Sequence, residues 1–312
     1  MSAAAVEEGS DDTMILCASC GVAEGDDIKL KKCDDCDMVI RYCSDECQKE
    51  HRIQHNEECE EQAAELHDEI LFKQPESSYL GDCPICCLPL PIDDQKSFLM
   101  TCCCKRFCDG CELANKIREI GLDLEEKCLF CRQALPSTYD ENIQRLMKRV
   151  EAKDPAATRE MGMDRYNEGD YRSAFEYWSK AAVLGDVVAH FQLSCLYFDG
   201  EGVEKDQKKE LHHVEQAAIG GHPSARHNLG CEELKNGRTD RAVKHYIIAA
   251  KLGYDKSLKN LKNLYKAGFV SKEDFAATLR GHHAAIQATR SPQREQAAEF
   301  DKKLAENKTG AI

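Results

Sequence analysis

The cysteines are the feature that most constrains how this chain can fold, because 17 of the 19 lie between Cys17 and Cys131, many in close pairs. A Cys-x2-Cys pair forms a tight turn that presents two thiolates to one tetrahedral ion. The first twelve residues lack a basic stretch followed by an apolar one, so we expect no secretory signal and an intracellular location, in cytoplasm or nucleus. In that reducing setting, paired cysteines favour metal over disulfides.

The charge and hydropathy of the chain disfavour two classes of partner. Its formal net charge is −14, and zinc sites with four thiolates would make the balance more negative, whereas a nucleic-acid-binding face is basic. No apolar run approaches the roughly 18 residues that a membrane-spanning helix needs. We therefore expect other proteins as partners, and neither nucleic acid nor a membrane.

Eight potential metal ligands follow one another between residues 17 and 59, enough to fill two tetrahedral sites with none left over. Two pairs are spaced four residues apart, which places both side chains on one face of a helix. Seven cysteines cannot all pair in disulfides, so zinc is the better interpretation. The predicted ligands are Cys17, Cys20, Cys33, Cys36, Cys43, Cys47, His55 and Cys59.

This spacing, with the stretch Arg41-Tyr42-Cys43-Ser44, resembles the MYND zinc finger over about 43 residues. Members of that family are protein-interaction modules that bind two cross-braced zinc ions. By this resemblance, one ion takes Cys17, Cys20, Cys43 and Cys47, and the other takes Cys33, Cys36, His55 and Cys59.

A second cysteine-rich stretch runs from residue 83 to residue 131, and its three pairs and central cluster again make two tetrahedral sites. The spacing and the opening Cys83-Pro84-Ile85-Cys86 resemble a RING finger, in an all-cysteine variant because Lys105 stands where the usual histidine would be. By this resemblance one zinc ion takes Cys83, Cys86, Cys108 and Cys111. The other takes Cys128, Cys131 and two of Cys102, Cys103 and Cys104; we favour Cys102 and Cys103.

RING fingers commonly recruit a ubiquitin-conjugating enzyme, and two residues match that function by resemblance. Ile85 stands where the family uses an apolar contact to the enzyme, and Arg132 stands where many active members carry a cation. Each residue also has an ordinary interpretation, as a packing residue of the turn and as a solvated surface charge. Two functions therefore stay open, an interaction adaptor and a ubiquitin ligase.

Enzymatic machinery of the chain's own is not evident from the sequence. Nothing resembles a catalytic triad, a phosphate loop or a metal site with an open ligand position, so we expect no small-molecule substrate and no catalytic residue. Any catalysis would arise by scaffolding through the RING-like module.

The second half of the chain repeats itself. Ala157, Ala189, Ala225 and Ser257 occupy equivalent positions at spacings of 32, 36 and 32 residues, and the turn at residues 200–203 accounts for the longer one. Such a period predicts an α-solenoid, in which each helical pair buries its apolar face against its neighbours. The Gly-x-Gly-Val turn and the Ala-Ala-x-x-Gly helix ends resemble the Sel-one-like repeat, a relative of the tetratricopeptide repeat whose arrays are scaffolds for protein assembly.

Helix starts are also predicted outside the regular repeats. Thr138-x2-Glu141 is a capping box, and Ser271-x2-Asp274 marks a second start of the same kind. A closing helix is predicted to begin at Pro292, with Phe300 and Leu304 as its apolar face.

The predicted fold class is mainly α, with two small cross-braced zinc-binding modules followed by an α-solenoid of helix-turn-helix repeats. We expect four zinc ions, two in each module. The predicted divisions are a disordered acidic N-terminus (1–13), a MYND-type finger (14–60), a helical linker (61–80), a RING-like finger (81–135), a connecting helix (136–155), Sel-one-like repeats (156–290), and a C-terminal helix and tail (291–312).

Removal of zinc tests this division. Structural zinc contributes on the order of 10 kcal/mol or more per site in small fingers. A chelator should therefore unfold residues 17–132 and leave the repeats helical, which circular dichroism measures. Loss of most of the helical signal would contradict the independence of the repeats.

Overall fold

The first compact unit ends at Leu71 and contains a small hairpin and a long helix. The computed structural model describes residues 29–32 and 41–309 of the chain. Strands β1 (Lys31–Lys32) and β2 (Arg41–Tyr42) pair antiparallel, and helix α1 spans Asp45–Leu71. The Ser44 hydroxyl accepts a hydrogen bond from the Cys47 amide, which caps the start of α1.

The second unit starts at Phe72, and its first part contains the RING-like stretch. Strands β3 (Ser97–Met100) and β4 (Lys105–Cys108) form an antiparallel hairpin, and helix α2 (Asp109–Gly121) follows directly. The buried core of this part is formed by Leu90, Phe107 and four cysteine side chains. With so little apolar area to bury, this part depends on its cysteines for stability.

Helix α3 (Tyr139–Glu151) connects this part to the repeats. The Thr138 hydroxyl accepts from the Glu141 amide, so the start predicted from the capping box is confirmed. Leu146 on α3 is 3% exposed and packs with Ala157 and Met161 of the next helix. The apolar stripe of α3 thereby covers one end of the repeat array.

The repeats form successive antiparallel helical pairs, and the predicted α-solenoid is confirmed. Glycines in the left-handed region, such as Gly185 and Gly253, end the second helix of a pair and allow the chain to turn. No helix of the described part of the chain is long and apolar enough to cross a membrane. The pairs are α4 (Pro155–Asn167) with α5 (Tyr171–Val183), α6 (Val187–Asp199) with α7 (Gln207–Ile219), α8 (Pro223–Lys235) with α9 (Thr239–Lys251), and α10 (Asp255–Lys266) with α11 (Lys272–Ala288).

Two of these pairs combine a very small residue on the first helix with a large aromatic on the second. A Cβ added at Gly162 would lie 2.4 Å from the Trp178 indole, and one added at Gly230 would lie 2.7 Å from the Tyr246 ring. Trp178 and Tyr246 are each at most 1% exposed. The glycines therefore allow the aromatic rings to lie directly against the backbone of the facing helix.

Residues 72–82 lie along the repeats and attach the RING-like part to them by ring stacking. The Phe72 ring contacts His245 with 4.7 Å between ring centroids. Tyr79 and Phe191 each stack on the His222 ring, at centroid distances of 4.7 Å and 4.3 Å. His222 is 6% exposed and accepts the Ala225 amide, so it also caps α8.

The closing helix α12 (Pro292–Thr309) begins at Pro292, as predicted, but its predicted apolar face is wrong. Phe300 and Leu304 remain 49% and 45% exposed, whereas Arg294 and Ala297 are at most 6% exposed. The helix packs against α2 of the RING-like part. Its contact face is therefore built on a small residue and a buried cation.

Gly162→Ala should destabilise the protein, although alanine favours a helix by about 0.5–1 kcal/mol. The added methyl group would overlap the Trp178 ring, and overpacking of this kind costs about 1–3 kcal/mol. We expect a lower melting temperature by calorimetry. The matched control is Gly121→Ala on α2, where an added Cβ meets no described atom within 4 Å and stability should hold or rise. Equal melting temperatures for wild type and Gly162→Ala would contradict the close packing.

Acid should weaken the stack around His222. Burial lowers the pKa of His222 to about 4, so the folded state keeps this imidazole neutral while the unfolded state takes up a proton below about pH 6.5. The stabilisation is therefore present at pH 7 and is lost as the pH falls from about 6.5 towards 4, at up to about 1.4 kcal/mol per pH unit.

His222→Asn tests this dependence, because asparagine caps a helix without titrating in this range. Urea unfolding at pH 7 and pH 5 should show a smaller loss of stability for the variant than for the wild type. His283→Asn serves as the control, because His283 is exposed. Between pH 7 and pH 5 this variant should lose as much stability as the wild type. If His222→Asn and the wild type lost the same amount of stability between pH 7 and pH 5, His222 would be excluded as the source of the acid sensitivity.

Candidate metal centre

The structure brings eight cysteines of the RING-like part together in two groups of four. In each group the four Sγ atoms lie within 4.8 Å of one another. The groups interleave along the chain, because the first and third pairs meet in one group and the second and fourth in the other. The first thiol site contains Cys83, Cys86, Cys108 and Cys111; the second thiol site contains Cys102, Cys103, Cys128 and Cys131.

The sulfur spacing fits a tetrahedral zinc ion. Four sulfurs at about 2.3 Å from one ion lie about 3.8 Å from each other. In the first site Cys83 and Cys111 are 3.9 Å apart, and Cys86 and Cys108 are 3.8 Å apart. The corresponding pairs of the second site lie 3.4 Å and 3.7 Å apart. A disulfide would need about 2.05 Å, so both groups have the donor type and the spacing that zinc requires.

The same backbone turn supplies half of each site. The Cys83 amide donates a hydrogen bond to the Leu88 carbonyl, and the Cys83 carbonyl accepts one from the Cys87 amide. In the same way, the Cys128 amide donates to the Gln133 carbonyl, and the Cys128 carbonyl accepts from the Arg132 amide. Both turns place the residue after the second thiol in the left-handed region, with φ of 55° at Cys87 and 61° at Arg132. The sequence pairs therefore form two matching knuckles, one at each site.

The knuckle backbone stabilises the thiolate of its first cysteine. Burial raises the pKa of Cys83, but backbone amides of Cys108, Cys86 and Ile85 outweigh it and lower that pKa to about 7. The pKa of Cys128 is lowered in the same way, because amides of Cys131 and Phe130 outweigh the effect of burial. A ligand that is already favoured as thiolate suits a metal cation.

Cys87 and Cys104 lie outside both groups. The Cys87 side chain is exposed. Cys104 turns towards the connecting helix and packs with the cluster around Leu146 and Met161, and its thiol lies 3.8 Å from the Thr101 carbonyl. Of the central three cysteines, the structure thus brings Cys102 and Cys103 to the second thiol site, and their role as ligands stays a prediction.

The predicted ligands of the first module are only partly described. The Sγ atoms of Cys43 and Cys47 lie 3.6 Å apart, a spacing that suits a shared ion. His55 and Cys59 lie on α1, and their side chains are outside the described part of the structure. Cys17, Cys20, Cys33 and Cys36 also fall outside the described residues.

The residues predicted to bind a partner lie on one groove of about 470 Å³ beside the first thiol site. Ile85, which is 44% exposed, and the exposed Arg132 both line it. Leu129 and Ala114 add apolar surface to the same lining. The structure thus places Ile85 and Arg132 on one accessible surface, which we call the knuckle groove. Its full lining is Ile85, Cys86, Cys111, Ala114, Asn115, Arg118, Leu129, Arg132 and Gln293.

Sequence reasoning missed one residue of this centre, Arg294. Its guanidinium lies 3.4 Å from Cys86 Sγ and donates to the carbonyls of Leu88 and Pro89 in the same knuckle. More than 200 residues separate Arg294 from this knuckle. No periodicity or spacing signal connects the two, and an arginine is ordinarily assigned to the surface.

Comparison with known proteins identifies two kinds of module in the chain. Residues 17–59 match the family model of the MYND finger. Residues 155–186, 187–222 and 223–254 each match the model of the Sel1 repeat, which is the repeat that the sequence pattern resembles. A comparison with curated proteins finds no match.

The solved structures to which the chain is similar include two proteins of the repeat class. A Sel1 repeat protein from Oxalobacter formigenes is 19% identical, with a TM-score of 0.42, over 62% of this chain and 86% of that one. A protective antigen of uropathogenic Escherichia coli strains that displays an SLR fold is 19% identical, with a TM-score of 0.30, over 55% of this chain and 46% of that one.

The chain is thus a zinc-binding protein built from interaction modules. MYND fingers bind zinc, and the two thiol sites of the RING-like part could each hold a further ion. Sel1 repeats generally mediate contacts between proteins. A MYND finger at residues 17–59 and three Sel1 repeats at residues 155–254 therefore identify the two kinds of interaction module that this chain contains.

Proposed function

We propose that this chain is an adaptor that assembles protein partners on the MYND finger and the repeats and presents the RING-like part to them. The attachment of the RING-like part to the repeats supports this role. Phe72 contacts the His245 ring, Tyr79 stacks on the His222 ring, and Arg241 and Lys244 each place a cation 4.9 Å from the Phe72 ring. Partners held by the repeats would therefore have a defined position relative to the knuckle groove.

A second, more specific function is ubiquitin ligation, and the knuckle groove is the observation that favours it. An interface core needs an accessible apolar anchor surrounded by polar groups. Ile85 supplies the exposed apolar side chain, and Arg132 and Arg118 supply cations at the rim. We propose that a ubiquitin-conjugating enzyme binds this groove, with Ile85 as the apolar contact.

In this function the chain would supply no reacting group. Zinc would hold the two knuckles in place, so that Ile85 and Leu129 stand on the same side of the module. Arg132 would bring a positive charge to the edge where ubiquitin lies against the enzyme. The attack on the thioester would remain the work of the conjugating enzyme and the acceptor lysine.

Discharge of ubiquitin from a panel of charged conjugating enzymes distinguishes the two functions. If the groove recruits such an enzyme, Ile85→Ala should reduce discharge roughly tenfold, because truncation of a central apolar contact costs about 1–2 kcal/mol. Arg132→Ala should also reduce it. Phe98→Ala on β3 is the matched control, because Phe98 is 39% exposed and lies outside the knuckle groove.

Metal content must be equal in all variants for this comparison. No discharge by the wild-type chain with any enzyme, from protein that holds its zinc, would exclude the ligase function and leave the adaptor. Discharge that Ile85→Ala and Phe98→Ala reduce equally would exclude the knuckle groove as the binding site.

A further inference from the structure

Arg294 is a buried cation that hydrogen-bonds to the nearby Thr289 carbonyl and to three acceptors in a distant part of the chain. It stands in the first turn of α12 and is 6% exposed. Its Nη1 donates to the Pro89 carbonyl at 2.7 Å, and its Nη2 donates to the Leu88 carbonyl at 3.2 Å and lies 3.4 Å from Cys86 Sγ. A single side chain thus binds three acceptors of the knuckle that carries the first thiol site.

The backbone of α12 also fits closely against this site. Gly110 lies between Cys108 and Cys111 in the sequence, and a Cβ added there would lie 2.6 Å from the backbone nitrogen of Arg294. Ala297, one turn further along α12, is 4% exposed. The absence of a side chain at residue 110 therefore allows the start of α12 to approach the helix that carries Cys111.

The charge of the site explains why a buried arginine is tolerated here. Among the described residues, no carboxylate lies within ion-pair distance of Arg294, although the buried Asp109 carboxylate interacts with it electrostatically at longer range. One Zn²⁺ with four thiolates carries a net charge of about −2, which a buried guanidinium offsets and which in turn stabilises the guanidinium.

We infer that Arg294 couples metal binding at the first thiol site to the docking of α12. The guanidinium favours the metal-loaded, negatively charged site, because it donates to a ligand sulfur and offsets the charge. Coupling between two equilibria is reciprocal, so the loaded site must favour the docked helix by the same factor. Arg294 is therefore a positioning residue for the zinc ion, and α12 is a metal-dependent extension of the RING-like part.

The coupling reaches the knuckle groove. Gln293, the residue before Arg294, lines the groove together with Ile85 and Arg132. A docked α12 therefore contributes to the surface that a partner meets, and loss of metal at the first thiol site would remove that contribution. This inference rests on zinc binding and does not depend on ubiquitin transfer.

Cadmium NMR on the full-length, fully cadmium-loaded chain tests the contact, because each bound ion gives its own resonance. Arg294→Gln should shift one resonance and leave the others in place, and Arg294→Lys, which keeps the charge, should restore part of the change. Loss of a side chain that hydrogen-bonds to a metal ligand typically weakens metal binding by about 10–100-fold, so zinc transfer from one site to a chelator should accelerate by that order. Arg290→Gln is the control, because its exposed ion pair with Glu295 lies just outside the site.

Hydrogen exchange of residues 292–309 in the zinc-loaded protein measures the other half of the coupling. Arg294→Gln should speed exchange in α12. Ala297→Glu, which disrupts the packing of α12 while leaving Arg294 in place, should speed exchange and also accelerate zinc transfer from the same single site. Faster exchange without faster zinc transfer, in either variant, would overturn the coupling, and so would an unchanged cadmium spectrum in Arg294→Gln.

Discussion

The interleaving of two four-thiol sites is the constraint on which the RING-like part depends. Its buried core consists of Leu90, Phe107 and cysteine side chains that also belong to the thiol sites. The same atoms would therefore have to serve as apolar core and as anionic ligands. A metal ion reconciles these demands, because it pairs with the thiolates and links segments that share little apolar contact.

The repeats are stabilised by the packing of buried side chains, without a cluster of potential metal ligands among their described residues. The helical pairs bury small residues beside larger ones, as with Ala174 and Trp178 in the first pair. Gly162 and Trp178 show the largest difference in side-chain size, because the indole lies against a residue that has no side chain. The second unit thus joins a part that metal would stabilise to a part that packing stabilises. His222 contacts the segment that precedes the RING-like part, and Arg294 binds the knuckle of its first thiol site.

Local signals predicted most of this architecture, because they depend on residues close in sequence. The Cys-x2-Cys spacing defines a knuckle, the 32- and 36-residue periods define helical pairs, and Thr138 and Ser271 start helices where their hydroxyls cap them. The face of α12 was not predictable in this way. Phe300 and Leu304 have the expected helical spacing, but the surface that α12 meets comes from residues 83–121 and presents carbonyls and sulfur, which select Arg294.

In the two knuckles, the backbone conformation does not determine which side chain follows the second thiol. Both turns impose a positive φ on the residue that follows the second thiol, a conformation that glycine adopts without strain and other residues adopt at a cost of about 1–3 kcal/mol. The chain has Cys87 at one such position and Arg132 at the other. The backbone does not require an arginine, and glycine would relieve its strain. Since Arg132 lines the knuckle groove, the proposed recognition of a partner would favour a cation at this residue at the expense of backbone stability.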